Sequence, residues 1–243
     1  MQTHTKNLKP SHHGFTLVEL LVVIVIIASL AAVSFSVSRK MMSKAQANLA
    51  MQNLKQIGPV LTLYATDHSM KLPAAKNTTQ LPDGTTVDIQ WNEACLITIY
   101  PDSRPEDFKT VQWWESSKSF LRNPMFKDSS GWAPLNPGYA MNLKVAENLA
   151  AAQNPASPAD PLSVTVALVS IPDQGRTPII APNTDWTYRY DPGETAKFEK
   201  NPAKELLYDG KVPILFVDGH IESMTPKEYR DKGLDQMPLP PEP

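Results

Sequence analysis

The sequence predicts an α+β protein: a long N-terminal α-helix, partly transmembrane, packed on a C-terminal antiparallel β-sheet domain. Three observations lead there. Between Phe15 and Ile57 the chain has neither glycine nor proline, the residues that most often interrupt regular structure. Of its 23 prolines only Pro10 and Pro59 precede Pro73, so the remainder reads as a loop-rich domain. That later part holds short apolar runs set off by Asp-Gly pairs, as strands joined by tight turns would be.

The helix comes first. From Phe15 to Val37 about 23 residues are apolar or small and uncharged, apart from Glu19; as a helix they span about 34 Å, slightly more than a bilayer's hydrocarbon core. An ionised side chain in hydrocarbon costs about 2.5–3.5 kcal/mol even on mild insertion scales, which marks Glu19 as a functional residue. Before it lies a leader, residues 1–14, with Lys6, Lys9, His12 and His13 and no acid. A secretory signal peptide would share the basic start and apolar centre, with Ser29-Leu30-Ala31 as its cleavage site. Two features weigh against it: the early carboxylate, and the apolar run continuing past Ala31 through Val33, Phe35 and Val37. Arg39, Lys40 and Lys44 mark the membrane exit, but the leader's lysines compete for the cytoplasmic side, so composition leaves the orientation open.

The helical pattern continues beyond the apolar run. Ala47, Met51, Leu54, Ile57, Leu61 and Tyr64 recur at spacings of three and four, an apolar stripe on an otherwise polar helix. Gly58-Pro59 falls inside it, and proline removes one backbone donor and presses on the carbonyl four residues back. Because the stripe runs on, a kink near Lys55 to Pro59 is expected rather than a stop.

The basic leader, the string Gly14-Phe15-Thr16-Leu17-Val18-Glu19 and the full-length apolar run together resemble the N-terminus of type IV pilins and type II secretion pseudopilins. The resemblance implies cleavage between Gly14 and Phe15 by a prepilin peptidase, N-methylation of Phe15, and a role for Glu19 in assembly with other pilin-like subunits. It implies an inner-membrane assembly platform as partner, a leader on the inside, and a single-pass protein whose C-terminal domain lies in the periplasm. It also implies a structural protein, not an enzyme. The expected organisation is a cleaved leader (1–14), a transmembrane polymerisation half-helix (15–37), an amphipathic half-helix (38–66), a globular domain (67–236) and a proline-rich disordered tail (237–243). Asn53 to Gly58, Tyr64 to His68 and Leu72-Pro73 resemble one bacterial subfamily, which bears a C-terminal motif of histidine, nine residues, then Asp-Gly. Here Asp218-Gly219 fits its end, and Tyr208 stands in place of the histidine. The alternative is a membrane-anchored periplasmic binding module, with carbohydrate as its candidate ligand, using the helix only as a tether.

The globular part reads as follows. Asp83-Gly84 precedes a hairpin strand at Thr85 to Ile89, and Trp91 to Tyr100 fits helix or strand. Gly138-Tyr139-Ala140-Met141-Asn142 resembles a string of the subfamily expected to build a turn against the sheet. Residues 153–161 are a proline-rich loop; Ser163 to Ile171 and Thr177 to Ala181 read as strands. Lys204 to Tyr208, Val212 to Val217 and His220 to Met224 read as three strands turning at Asp209-Gly210 and Asp218-Gly219. Thr225-Pro226-Lys227-Glu228 has the capping-box pattern of a short helix ending near Gly233.

Chemistry is sparse. A composition of 42% apolar and 20% charged residues is that of a globular protein. A formal charge of −2 without basic runs points away from nucleic acid. The single cysteine, Cys95, excludes an internal disulfide and reads as a small buried apolar residue. Asp218, His220 and Glu222 alternate but supply too few ligands for a metal, and Asp185, Asp191 and Glu194 fit no defined calcium loop. Asp67 and His68 read as a solvated helix end. The five tryptophans are expected to pack in the core. No phosphate loop, nucleophile elbow or zinc-protease motif is present, and no cofactor or metal is expected.

Overall fold

The computed structural model describes residues 16–80, 83–102, 120–124, 138–183, 187–188 and 211–234. Helix α1 runs Leu17–Asp67, 51 residues. The chain divides after Met42 into two units, residues 1–42 and 43–243. In the first, every described side chain of α1 is exposed. It is a helix long and apolar enough to cross a membrane.

In the second unit the predicted stripe is the buried face of α1. Ala50, Leu54, Ile57, Leu61, Tyr64 and Ala65 are buried at helical spacing, each large side chain contributing about 1.5–3 kcal/mol by leaving water. The chain stays helical through Gly58-Pro59. Lys55 and Pro59 are both exposed, so the bond that proline removes lies on the solvent side, where water can satisfy the carbonyl. Gly58 faces the other way: a Cβ there would lie 3.4 Å from Cδ1 of Leu215 and 3.9 Å from Cα of Gly219.

After α1 come β1 (Lys71–Leu72), β2 (Lys76–Gln80), β3 (Thr86–Gln90) and helix α2 (Trp91–Ile99). The expected hairpin is present: β2 and β3 pair antiparallel, Lys76 opposite Gln90. The ambiguous stretch from Trp91 is a helix, its first turn fixed by the Glu93 carboxylate, which accepts from the Gln90 N–H at 2.6 Å. Strand β4 (Tyr139–Asn142), helix α3 (Lys144–Gln153), β5 (Val166–Ala167), β6 (Pro178–Pro182), β7 (Thr187–Tyr188), β8 (Val212–Phe216), β9 (Ile221–Met224) and helix α4 (Pro226–Asp231) follow.

The main sheet has the order β7-β4-β6-β8-β9. Its pairs are antiparallel except β4 with β7. Side chains alternate across it as the pleat requires. Tyr139, Met141, Ile180 and Leu215 join Leu54, Ile57 and Leu61 in one core cluster. Ala140, Ala181, Ile214 and Phe216 join Tyr229 and Leu234 in another. A sheet covered on both faces reads as a continuous apolar run rather than an alternating one, which is why Val212 to Phe216 is apolar throughout.

Two expectations are corrected. Gly138 to Asn142 is not a turn against the sheet: only Gly138, with φ of 77°, has turn geometry, and the next four residues are a fully buried strand. Ser163 to Ile171 is not a sheet strand. Val166 and Ala167 pair with β1 alone, and residues Leu168–Ser170 curl into a 3-10 turn. Its partner β1 is only two residues long and is followed by Pro73, which has no N–H to extend the ladder. The C-terminal reading holds where it is described. β8 and β9 form a hairpin through Asp218-Gly219, with Gly219 at φ 90°, and α4 starts at its capping box and ends before Gly233 at φ 65°. The strand expected at Lys204 to Tyr208 and the turn at Asp209-Gly210 lie outside the described residues.

Two measurements test this packing. Gly58→Ala should be tolerated, because its Cβ meets Leu215 at ordinary contact distance, whereas Gly58→Leu should lower unfolding stability by about 1–3 kcal/mol through overpacking; urea titration of the full chain in micelles reads both. Cys95 is wholly buried, and burial pushes its thiol up to about 12. It should therefore resist maleimide at neutral pH until denaturant is added, at which point labelling becomes complete.

Candidate functional site

Thr16 and Glu19 sit at the head of α1, and the residues between them explain the local geometry. Thr16 is the N-cap residue and Glu19 the third residue of the first turn. The Thr16 N–H and hydroxyl both donate to Oε2 of Glu19, at 2.9 and 2.7 Å. The Glu19 N–H donates back to the Thr16 hydroxyl oxygen at 3.2 Å, and the Leu20 N–H to the Thr16 carbonyl at 3.2 Å. This is a capping box: helix-start donors that hydrocarbon could not satisfy are taken up by the helix's own side chains. A carboxylate there also faces the positive end of the helix dipole. Both bonds to the carboxylate fall on Oε2, while Oε1 has no partner among the described residues.

Thr16 is the residue the sequence reading missed. Its signal was present, since Thr-x-x-Glu before an apolar run is a helix-start signature, and the same signature was read correctly at Thr225. There the Glu228 N–H donates to the Thr225 hydroxyl at 3.1 Å and the Thr225 N–H to Glu228 Oε2 at 2.7 Å. Gly14 and Phe15 lie outside the described residues.

Residues 9–35 match the prokaryotic N-terminal methylation motif. The match takes in the Gly14-Phe15 pair, the Thr16–Glu19 box and most of the apolar run. It supports a pilin-like subunit processed by a prepilin peptidase and assembled with other such subunits. No curated protein and no solved structure matches this chain.

The other candidates do not converge. Oδ1 of Asp218 accepts from the His220 N–H at 3.0 Å and contacts its ring Nδ1 at 2.6 Å. The His220 ring stacks on Phe216 at 4.2 Å, and Glu222 is ion-paired with Lys232. Among the described residues no three metal-binding side chains come together. Asp185, Asp191, Glu194 and Tyr208 lie outside the described residues. So do all the tryptophans but Trp91, which is buried in the core as expected.

If the box holds the first turn of α1, Thr16→Val should speed amide exchange at residues 17–20 about fivefold, matching the ~1 kcal/mol of a lost N-cap. Thr16→Ser should restore protection. Hydrogen exchange on the full chain in micelles, read by mass spectrometry, checks this.

Proposed function

We propose that the chain is a pilin-like structural subunit of a type II secretion or type IV pilus-like filament. A prepilin peptidase cuts between Gly14 and Phe15, Phe15 is methylated, and the apolar part of α1 holds the subunit in the inner membrane until it polymerises. The chain crosses once, leader inside and C-terminal domain in the periplasm, and an inner-membrane platform drives assembly. The observation that carries this reading is the methylation-motif match over residues 9–35, which takes in Glu19, whose Oε1 has no partner among the described residues.

The chemistry follows from cost. A lone carboxylate in hydrocarbon is expensive, and a paired one much less so. Cleavage before Phe15 creates an amine, a cation of matching size, at the head of every processed subunit. When helices pack side by side, the amine of one subunit meets Oε1 of Glu19 on its neighbour. Oε2 meanwhile keeps the helix capped. The attraction is strong only where water is excluded, so the pair favours the packed state and sets its axial register.

Mass spectrometry of the mature protein should find N-methyl-Phe15 as its first residue; an intact Met1 would overturn the reading. Glu19→Ala should leave membrane insertion and cleavage unchanged and abolish recovery in sheared filaments. Normal incorporation of that variant would remove Glu19 from assembly.

A further inference from the structure

We propose that the groove at the C-terminal end of α1 is a binding site for a short neutral saccharide. It has a volume of about 630 Å³, within the ~300–1,000 Å³ usual for ligand sites. It lies wholly in the second unit and does not depend on how the N-terminal helix is used. Ala74, Ile89, Ala94 and Ile97 give its lining an aliphatic part. Asp67 and His68 line it from the end of α1, and Ser163 and Thr165 from the segment leading into β5.

The polar groups divide into those already engaged and those available. The Thr98 hydroxyl donates to the Ala94 carbonyl at 3.0 Å and the Thr78 hydroxyl to Asp88 at 3.1 Å. Asn77 is bonded through both ends of its amide to Ala74. Lys76 is paired with Asp88 at 2.8 Å, so among the described residues no lysine or arginine of the lining is without an anionic partner, which disfavours an anionic ligand. The side chains of Asp67, Ser163 and Thr165 have no hydrogen bond among the described residues. Nδ1 of His68 lies 2.8 Å from the Tyr64 carbonyl, and a carbonyl can only accept. Nδ1 therefore donates, so that whenever the ring is neutral Nε2 is an acceptor. Two acceptors and two hydroxyls in a lining shared with aliphatic side chains suit a ligand that carries both hydroxyls and C–H faces.

The groove is also held in shape. The His68 ring stacks on Tyr64 with centroids 3.8 Å apart and planes 3° from parallel. The next two residues, Ser69 and Met70, both take left-handed φ of 56° and 59°, a conformation that residues with a Cβ rarely adopt. That turn is pinned by the Met70 N–H to the Ala65 carbonyl at 2.7 Å, and tied to the other side by the Leu168 N–H to the Met70 carbonyl at 2.9 Å. The β1–β5 pair, Lys71 opposite Ala167, closes the same link. Backbone strain retained beside a groove is where binding geometry is commonly stored.

The test is a titration of the full chain in micelles, with histidine ring nitrogens labelled, using maltotriose, cellotriose, xylotriose and chitotriose in turn. Trigalacturonate and an alanine-serine hexapeptide serve as the anionic and peptide probes. At least one neutral trisaccharide should shift Nε2 of His68 and leave His220 unmoved. Asp67→Asn should weaken that binding about tenfold, as loss of a charged hydrogen-bond acceptor does. Thr165→Val should weaken it too, which keeps the test sound should the first variant fold poorly. No shift at millimolar concentration, tighter binding of trigalacturonate or the peptide, or unchanged affinity in both variants would overturn the proposal.

Discussion

The close approach of α1 to β8 at Gly58 is the constraint on which the second unit is built. Because Gly58 carries nothing larger than a methyl group, the helix backbone can lie against Leu215, and Leu54, Ile57 and Leu61 of the stripe share one core with Met141 and Ile180 of the sheet. The other face of the sheet must be covered as well, and Tyr229 and Leu234, on and just after α4, help do so. The proline that follows Gly58 would be disruptive on that side. On the exposed side it costs one solvated hydrogen bond, and the adjacent pair lets one residue permit close packing while the other faces water.

The same local device begins α1 and α4 in two different surroundings. At Thr225 the box stands in water and helps define where a short helix starts; the Thr225 backbone and hydroxyl bonds hold the Glu228 carboxyl below the usual carboxylate range. At Thr16 identical chemistry stands at the head of an apolar helix, where the same donors would have no water to turn to. One carboxylate thus completes the helix through one oxygen, while the other has no partner among the described residues.

How much the sequence revealed depended on whether the signal was local. α1 was legible because glycine and proline are missing from Phe15 to Ile57 and the stripe has a helical period. The β8–β9 hairpin was legible because Asp218-Gly219 is a turn in itself. Gly138 to Asn142 was misread because a glycine and an asparagine bracket a strand buried on both faces, a fact set by α1 and the α4 segment rather than by those residues. Ser163 to Ile171 was overread because alternation says nothing about whether a partner strand is long enough. Helix α3 went unnoticed; of its ten residues only Ala146 and Ala150 are buried, too narrow a stripe to stand out. The groove could not be foreseen, since Asp67 and Thr165 meet only through the fold.

The bonds from Thr16 have a consequence for the speed and economy of any encounter at Glu19. A glutamate side chain in solution samples many rotamers, and fixing it on binding loses that freedom. Here that search would be over before any partner arrived: Oε2 is tethered to the first turn, so Oε1 is presented in a narrow range of directions. A cation approaching along the helix face meets an aimed charge instead of a mobile one, and the entropy of aiming was spent when the helix folded.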